Sequence, residues 1–327
     1  MRDFSYLRAT SAAEARQAAQ QAGATLLAGG TTLLDLAKCG VGAPDTVIDI
    51  THLSGLSDIT VDAAGARIGA LAKMSEVADH KDIRAAFPAV SESLSLAASA
   101  QLRNMATIGG NIMQRTRCSY FRDPGTFPAC NKRNPGSGCA AIGGVTRNHA
   151  VLGTSKACIA SYPGDLAVAL VAFDAVVELD GRKVTVDDFF LAPGDAPDRE
   201  TVLQRGEMIT AIGIPGSAAA RNSTYIKVRD RQSYEFAAAS AAVGLELEAD
   251  GKTVRDIRVA LGGVATKPWR AGLVEQALIG KALNLEIVEK ASRLAMEGAA
   301  ADGGNRYKIE LAPRVVARAI LKMGGLA

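Results

Sequence analysis

Four of the chain's five cysteines, Cys118, Cys130, Cys139 and Cys158, share one segment with the spacing C-x11-C-x8-C-x18-C. That spacing lacks the CxxC knuckle of most structural zinc sites, yet four thiolates are also the usual ligand set of an iron–sulfur cluster. Cations crowd the same stretch (Arg115, Arg117, Arg122, Lys132, Arg133, Arg147 and Lys156), with Gly136, Gly138, Gly143 and Gly144 between them. A thiolate-bound cluster is anionic, so cations and backbone N–H groups beside it stabilise both the cluster and its deprotonated ligands. Residue types alone leave three readings open: an iron–sulfur cluster, a zinc site, or buried cysteines that are neighbours by coincidence. Cys39 stands apart on an apolar helical stretch and reads as a small hydrophobe. His52, His80 and His149 lie in no pattern suited to proton transfer and read as surface or capping residues; no residue is assigned a general acid or base role.

Six Gly-Gly doublets begin at residues 29, 109, 143, 262, 303 and 324, none within a GxGxxG fingerprint, so a Rossmann dinucleotide site has little support. The first two share a context: an apolar run, Gly-Gly, then a small hydroxyl or amide residue. Such turns can bring backbone N–H groups close to a pyrophosphate, with Thr31, Thr32, Thr107 and Asn111 adding side-chain hydrogen bonds; tight turning alone explains them equally well.

The elements that must position these residues read as follows. Ser11 to Glu14 forms a capping-box pattern that opens an Ala-rich helix ending near Gly23. Strands are expected at residues 25–28 and 46–50, with a helix from Leu33, which makes a small α/β unit. A second unit begins near Arg67 and carries a helix at about 88–100. Residues 115–147 have no helical or strand period, and a loop that long inside a globular chain is usually functional or disordered. Pattern returns at 150–153, 165–173, 175–179 and 208–214. Beyond a boundary near Gly216, strands at 224–228, 241–247 and 254–261 precede helices at about 271–279 and 284–297, an α+β order.

With 327 residues the chain is long enough for two or three compact units, and 37 basic against 34 acidic residues give no electrostatic case for nucleic acid. The first thirty residues show no secretory pattern and no segment reaches a membrane span.

Ala28-Gly29-Gly30-Thr31-Thr32-Leu33-Leu34-Asp35-Leu36 and Gln101-Leu102-Arg103-Asn104-Met105-Ala106-Thr107-Ile108-Gly109-Gly110-Asn111 resemble the two FAD loops of the medium subunits of the xanthine dehydrogenase, or molybdenum hydroxylase, family. Gln114-Arg115-Thr116-Arg117-Cys118, Cys130-Asn131-Lys132-Arg133 and Pro135-Gly136-Ser137-Gly138-Cys139 resemble a narrower branch, the FAD subunits of bacterial periplasmic aldehyde oxidoreductases, which add a [4Fe–4S] cluster. Lys227–Arg231 and Gly262–Arg270 extend the likeness into the C-terminal region. Thr32 stands where the pattern has Asn, and Ser119 replaces a proline.

The resemblance implies an α+β protein: FAD-binding subdomains at 1–55 and 56–216, the second carrying an iron–sulfur loop at 115–158, and a C-terminal α+β domain at 217–327. It implies FAD contacts from Leu26, Leu27, Ala28, Gly29, Gly30, Thr31, Thr32 and Leu33, extended by Thr107, Gly110 and Asn111 and joined by Asp165 and Lys227. It implies cluster ligation by Cys118, Cys130, Cys139 and Cys158. The partners it implies are a large molybdenum-cofactor subunit, a small [2Fe–2S] subunit and an external electron acceptor. It favours a periplasmic location reached by co-export with a signal-bearing partner, the cytoplasm being the alternative. Two rivals remain on residue types: a single-chain flavin oxidase and a zinc-stabilised interaction module.

Overall fold

The computed structural model describes residues 1–326 as three sheets with helices packed around them. At the N-terminus, Thr46–Asp49 is the central strand of a three-stranded sheet and pairs in parallel with both Ser5–Arg8 and Ala24–Leu27. The helix Ala12–Ala19 connects two of these strands. Ser11 caps it by accepting from the Glu14 N–H, while the Glu14 carboxylate turns back to Thr10 N rather than closing the box on Ser11. This helix stops at Ala19, earlier than expected, and the chain turns through Gly23, whose φ of 75° lies in the left-handed region.

The second sheet is antiparallel, in the order Ile59–Val61, Gly65–Gly69, Ile209–Pro215, Val176–Leu179, Arg182–Thr185. Its strands come from two sequence regions, with the whole glycine- and cysteine-rich stretch inserted between them. The helix expected to run to about residue 100 ends at Ser95 because Ala98 takes a left-handed φ of 49°. A separate turn, Ala100–Arg103, then starts under a Ser99 cap. The third sheet is an antiparallel meander of Ser223–Val228, Ala239–Leu247, Val254–Gly262 and the short Trp269–Arg270. Helices Gly272–Leu278 and Leu285–Arg293 follow.

Packing runs across residue 216. The helix Leu166–Ala172 is buried on every side, as an all-apolar helix must be. It shares one core with Ile212 and Ile214 of the second sheet and with Ala242 and Ala260 of the third. Several elements escaped the sequence reading, among them Ile59–Val61, Met74–Asp79, Lys81–Ala86 and Arg182–Thr185, and two others show why. Ser5–Arg8 is short and mostly exposed, so it shows no period; the long final helix, Tyr307–Met323, contains Pro313, which interrupts a helical pattern. That helix nevertheless buries Ala312, Val315, Val316, Ala319 and Ile320 along one stripe against the third sheet.

Lys308 lies on the same helix, 1% exposed, with Nζ donating to the Gly263 carbonyl at 2.5 Å. Burial, reinforced by Arg147, pushes its ammonium down from 10.5 to about 8. Between these two values the unfolded chain holds a proton that the folded chain has released, so stability rises with pH across the window, by roughly 3 kcal/mol at about 1.36 kcal/mol per pH unit. Thermal unfolding of the unsubstituted chain and of Lys308→Met between pH 8 and 10 checks this. The unsubstituted chain gains stability relative to the variant as pH rises; a constant difference would show that Lys308 titrates normally.

Candidate cofactor site

The strand Ala24–Leu27 delivers the chain into Gly29-Gly30, and the helix Leu33–Lys38 carries it away. A Cβ on Gly29 would stand 2.1 Å from the Met105 carbonyl oxygen, so only glycine lets this turn lie against the Gln101–Asn111 segment. Gly30 takes a φ of 71°, which reverses the chain. Among the described residues nothing accepts the N–H groups of Gly29, Gly30, Thr31 and Thr32. Four free donors in a row make a concave nest for an anion.

A cavity of about 410 Å³ opens over this nest, within the range of small-molecule sites. Leu26, Ala28, Gly29, Gly30, Thr31, Thr32, Leu33, Thr107 and Gly110 line it together, as expected of a shared site. Leu27 does not reach it, and packs its side chain under Gly30 instead.

The second glycine turn is built differently from the first. Gly109 N–H donates to the Ala70 carbonyl, Gly110 N–H to Thr107 Oγ1 and Asn111 N–H to the Thr107 carbonyl, so these donors are spent holding a short helix, Ile108–Ile112. Asn111 is absent from the cavity wall; its Nδ2 meets Met74 Sδ at 3.3 Å and its Oδ1 is buried without a partner. What the second turn brings to the cavity is the Thr107 hydroxyl and a close-packed wall.

Asp165 and Lys227 are not at this cavity. They form their own buried pair, Nζ to Oδ2 at 2.8 Å, with side chains 5% and 1% exposed. Lys227 also donates to the Leu96 carbonyl, and Tyr225 joins Asp165 to Ser240 through its hydroxyl. Burial raises the Asp165 carboxyl above the ordinary carboxylate range, against the pull of Lys227 and Tyr225. Within Lys227–Arg231, Lys227 and Arg229 both turn inward onto Leu96 O, while Asp230 and Arg231 are exposed.

Two arginines that sequence reasoning did not assign to this site stand on the cavity wall, Arg115 and Arg205. Arg115 is held by Glu200 at 2.6 Å, whereas exposed Arg205 has no carboxylate partner among the described residues. Its only sequence signal was a lone Arg beside a glycine, Gly206, in an irregular stretch.

The cysteine loop packs directly behind the helix Leu33–Lys38. Asp35 accepts from Arg117 at 3.0 Å and from Arg122 at 2.5 Å, and Leu36 packs with Phe121 and Cys130. Cys39 ends that helix half-buried, 3.6 Å from Arg122 Nη2, so it is a polar contact rather than the buried hydrophobe expected. Within the loop Cys130 and Cys139 pair across an isolated bridge, and Cys118 packs against the apolar cluster that holds Cys130 and against the one that Cys139 borders. Burial, reinforced by Cys130 and Cys158, pushes the Cys118 thiol up to about 12, and burial likewise raises Cys158, which Lys132 partly offsets. Among the described residues no three His, Cys, Asp or Glu side chains form a ready single-ion cage. His149, expected at the surface or at a cap, is instead 4% exposed, with Nε2 3.2 Å from Cys118 Sγ; burial pushes its pKa down. His80 occupies the cap position between two helices, although its side chain makes no capping hydrogen bond and its Nδ1 is buried without a partner; His52 is at the surface.

A pyrophosphate ligand such as ADP measures the nest by calorimetry. Removing the charge in Arg205→Ala weakens binding about tenfold, since a hydrogen bond to a charged group is worth ~1.5–3 kcal/mol. Gly29→Ala, forced off the Met105 carbonyl, loses binding and about 1–3 kcal/mol of stability. Unchanged affinity in both variants would remove this cavity as the anion site.

The family described as "FAD binding domain in molybdopterin dehydrogenase" matches residues 2–217, and "CO dehydrogenase flavoprotein C-terminal domain" matches residues 224–323. The chain is 48% identical over 277 residues to the aldehyde oxidoreductase FAD-binding subunit PaoB of Escherichia coli, covering 83% of this chain and 84% of that one. It is 29% identical to the glyceraldehyde dehydrogenase medium chain of Sulfolobus acidocaldarius over 88% of this chain and 85% of that one. Among solved structures, carbon monoxide dehydrogenase from Hydrogenophaga pseudoflava superposes with a TM-score of 0.77 at 26% identity, covering 100% and 99% of the two chains. The free-donor nest, its cavity and the α+β architecture around them accordingly belong to an oxidoreductase subunit: this chain is a member of the FAD-binding medium-subunit family of the molybdenum hydroxylases.

Proposed function

We propose that the chain is the FAD- and [4Fe–4S]-binding electron-transfer subunit of a three-subunit molybdenum-containing aldehyde oxidoreductase. The observation that carries the reading is the pinning of the helix behind the anion nest onto the cysteine loop, through Asp35 to Arg117 and Arg122. One rigid contact thereby joins the two places where cofactors would sit. The aldehyde class rests on the likeness to PaoB, and the partners are a large molybdenum-cofactor subunit, where the substrate would be oxidised, and a small [2Fe–2S] subunit.

The cysteine loop is chemically suited to a cluster. Its thiols influence one another as a set, and Arg117 Nε and Arg122 Nη1 are buried in the same loop without acceptors. Such donors suit an anionic sulfur core. Ligands of one zinc ion stand roughly 3.8 Å apart, as follows from Zn–S bonds of about 2.3 Å, and cubane ligands stand farther apart, so the lack of a single-ion cage speaks against zinc more than against a cluster. Cys118, Cys130, Cys139 and Cys158 would hold the cluster, and ligation would release protons that the buried thiols otherwise keep.

Bound FAD supplies exchange between one-electron carriers and an external acceptor. The chain's own part is to bind and orient it. The N–H groups of residues 29–32, the Thr107 hydroxyl and Arg205 take the pyrophosphate, and Asp165 and Lys227 form a fixed buried dipole elsewhere in the core. On this reading residues 1–55 and 56–216 serve the flavin and cluster, and 217–327 closes the core. Among the described residues no helix is long and apolar enough to cross a membrane. We place the assembled enzyme in the periplasm, exported folded with a signal-bearing partner.

The purified chain is expected to show flavin absorption, about four irons and no zinc. Cys130→Ser keeps the flavin and loses the iron. A colourless, zinc-containing chain would sink the reading. In the assembled enzyme, Cys130→Ser slows electron delivery to the acceptor; unchanged turnover there would leave the cluster only a bracing role.

A further inference from the structure

His149 is the one histidine the fold buries against a cysteine of the loop, with Nε2 3.2 Å from Cys118 Sγ. Backbone and ring contacts fix the residue. The His149 backbone N–H donates to the Thr146 carbonyl at 2.8 Å, and the ring lies tilted against Tyr120, centroids 5.9 Å apart. Tyr120 is held in turn by the Val145 N–H on its hydroxyl. Backbone N–H groups of Tyr120 and Phe121 also face the Cys118 sulfur, whereas Cys158 has only the Ala160 N–H at 3.5 Å. The Cys118 sulfur thus faces more donors than that of Cys158, and His149 is its only side-chain partner among the described residues.

We propose that His149 is a positioning residue for the cluster, donating Nε2–H to the Cys118 sulfur and thereby raising the cluster's reduction potential. The inference rests on the [4Fe–4S] reading above. A ligated sulfur has lost its proton and can only accept, so the imidazole facing it must carry hydrogen on Nε2. A donor aimed at a ligand sulfur stabilises the more negative, reduced cluster, and hydrogen bonds to the sulfurs are among the determinants of potential in such centres. Nδ1 reaches no acceptor at hydrogen-bond geometry, although the ring also feels the Thr146 backbone, so the Nε2–Sγ approach is its one short polar contact.

The full chain, purified without oxygen, is compared with His149→Leu and His149→Gln by iron analysis and by redox titration followed by EPR. His149→Leu keeps about four irons and titrates at a more negative midpoint. His149→Gln, whose amide can donate from a similar place, moves back toward the unsubstituted value. An iron-replete His149→Leu with an unshifted midpoint overturns the inference and leaves the cluster reading standing. Loss of iron from both variants also overturns it, because His149 would then be a ligand or a packing support. No iron in the unsubstituted chain removes the cluster reading itself, and the inference with it.

Discussion

The approach of Gly29 to the Met105 carbonyl is the constraint on which the cofactor site depends. The first turn belongs to a parallel sheet and the second to a helical segment beside the antiparallel one, so nothing in the local chain brings them together. A side chain at residue 29 would push them apart by the width of a methyl group, with the cavity between them losing its back wall. The absent Cβ thus sets the spacing of two otherwise separate layers. The free N–H groups of residues 29–32 follow from the same contact, because a turn held by van der Waals packing need not spend its donors on itself.

A second layer of organisation lies behind that turn. Asp35 and Leu36 tie the next helix to the cysteine loop, and Arg115 touches both the cavity and Glu200, which Lys132 also approaches at 3.4 Å. Arg133 fastens the loop from within, donating to the carbonyls of Tyr120 and Phe121 at 3.0 and 2.7 Å. The arginines that look in the sequence like a counter-charge for an anionic centre are largely spent on these ties. What remains for the sulfurs is a smaller set: backbone N–H groups, His149, and the unpaired edges of Arg117 and Arg122.

Much of this was legible in residue types and spacing. The alternation of Val176–Leu179, the apolar runs of the meander and the first glycine turn all carried local signals strong enough to locate. The equivalence of the two glycine turns was not real, because whether a turn keeps its N–H groups depends on carbonyls such as Ala70 O, far away in sequence. The resemblance made Lys227 a flavin contact, whereas its burial follows from its pairing with Asp165, 62 residues earlier. His149 had no pattern of its own and gains its meaning only from the fold of the loop. Pro313 hid the last helix, although the stripe from Ala312 to Ile320 is plain once the helix is drawn.

The all-buried helix Leu166–Ala172 has one more consequence. Two families of sequence meet in this chain, one ending at residue 217 and the other beginning at 224, which invites a view of interchangeable modules. The helix belongs to the first by sequence and packs on Ala242 and Ala260 of the second, so cutting the chain at that junction would strip cover from its most apolar element. Each segment therefore hides apolar surface of the other from water, and a cut at the junction would expose both.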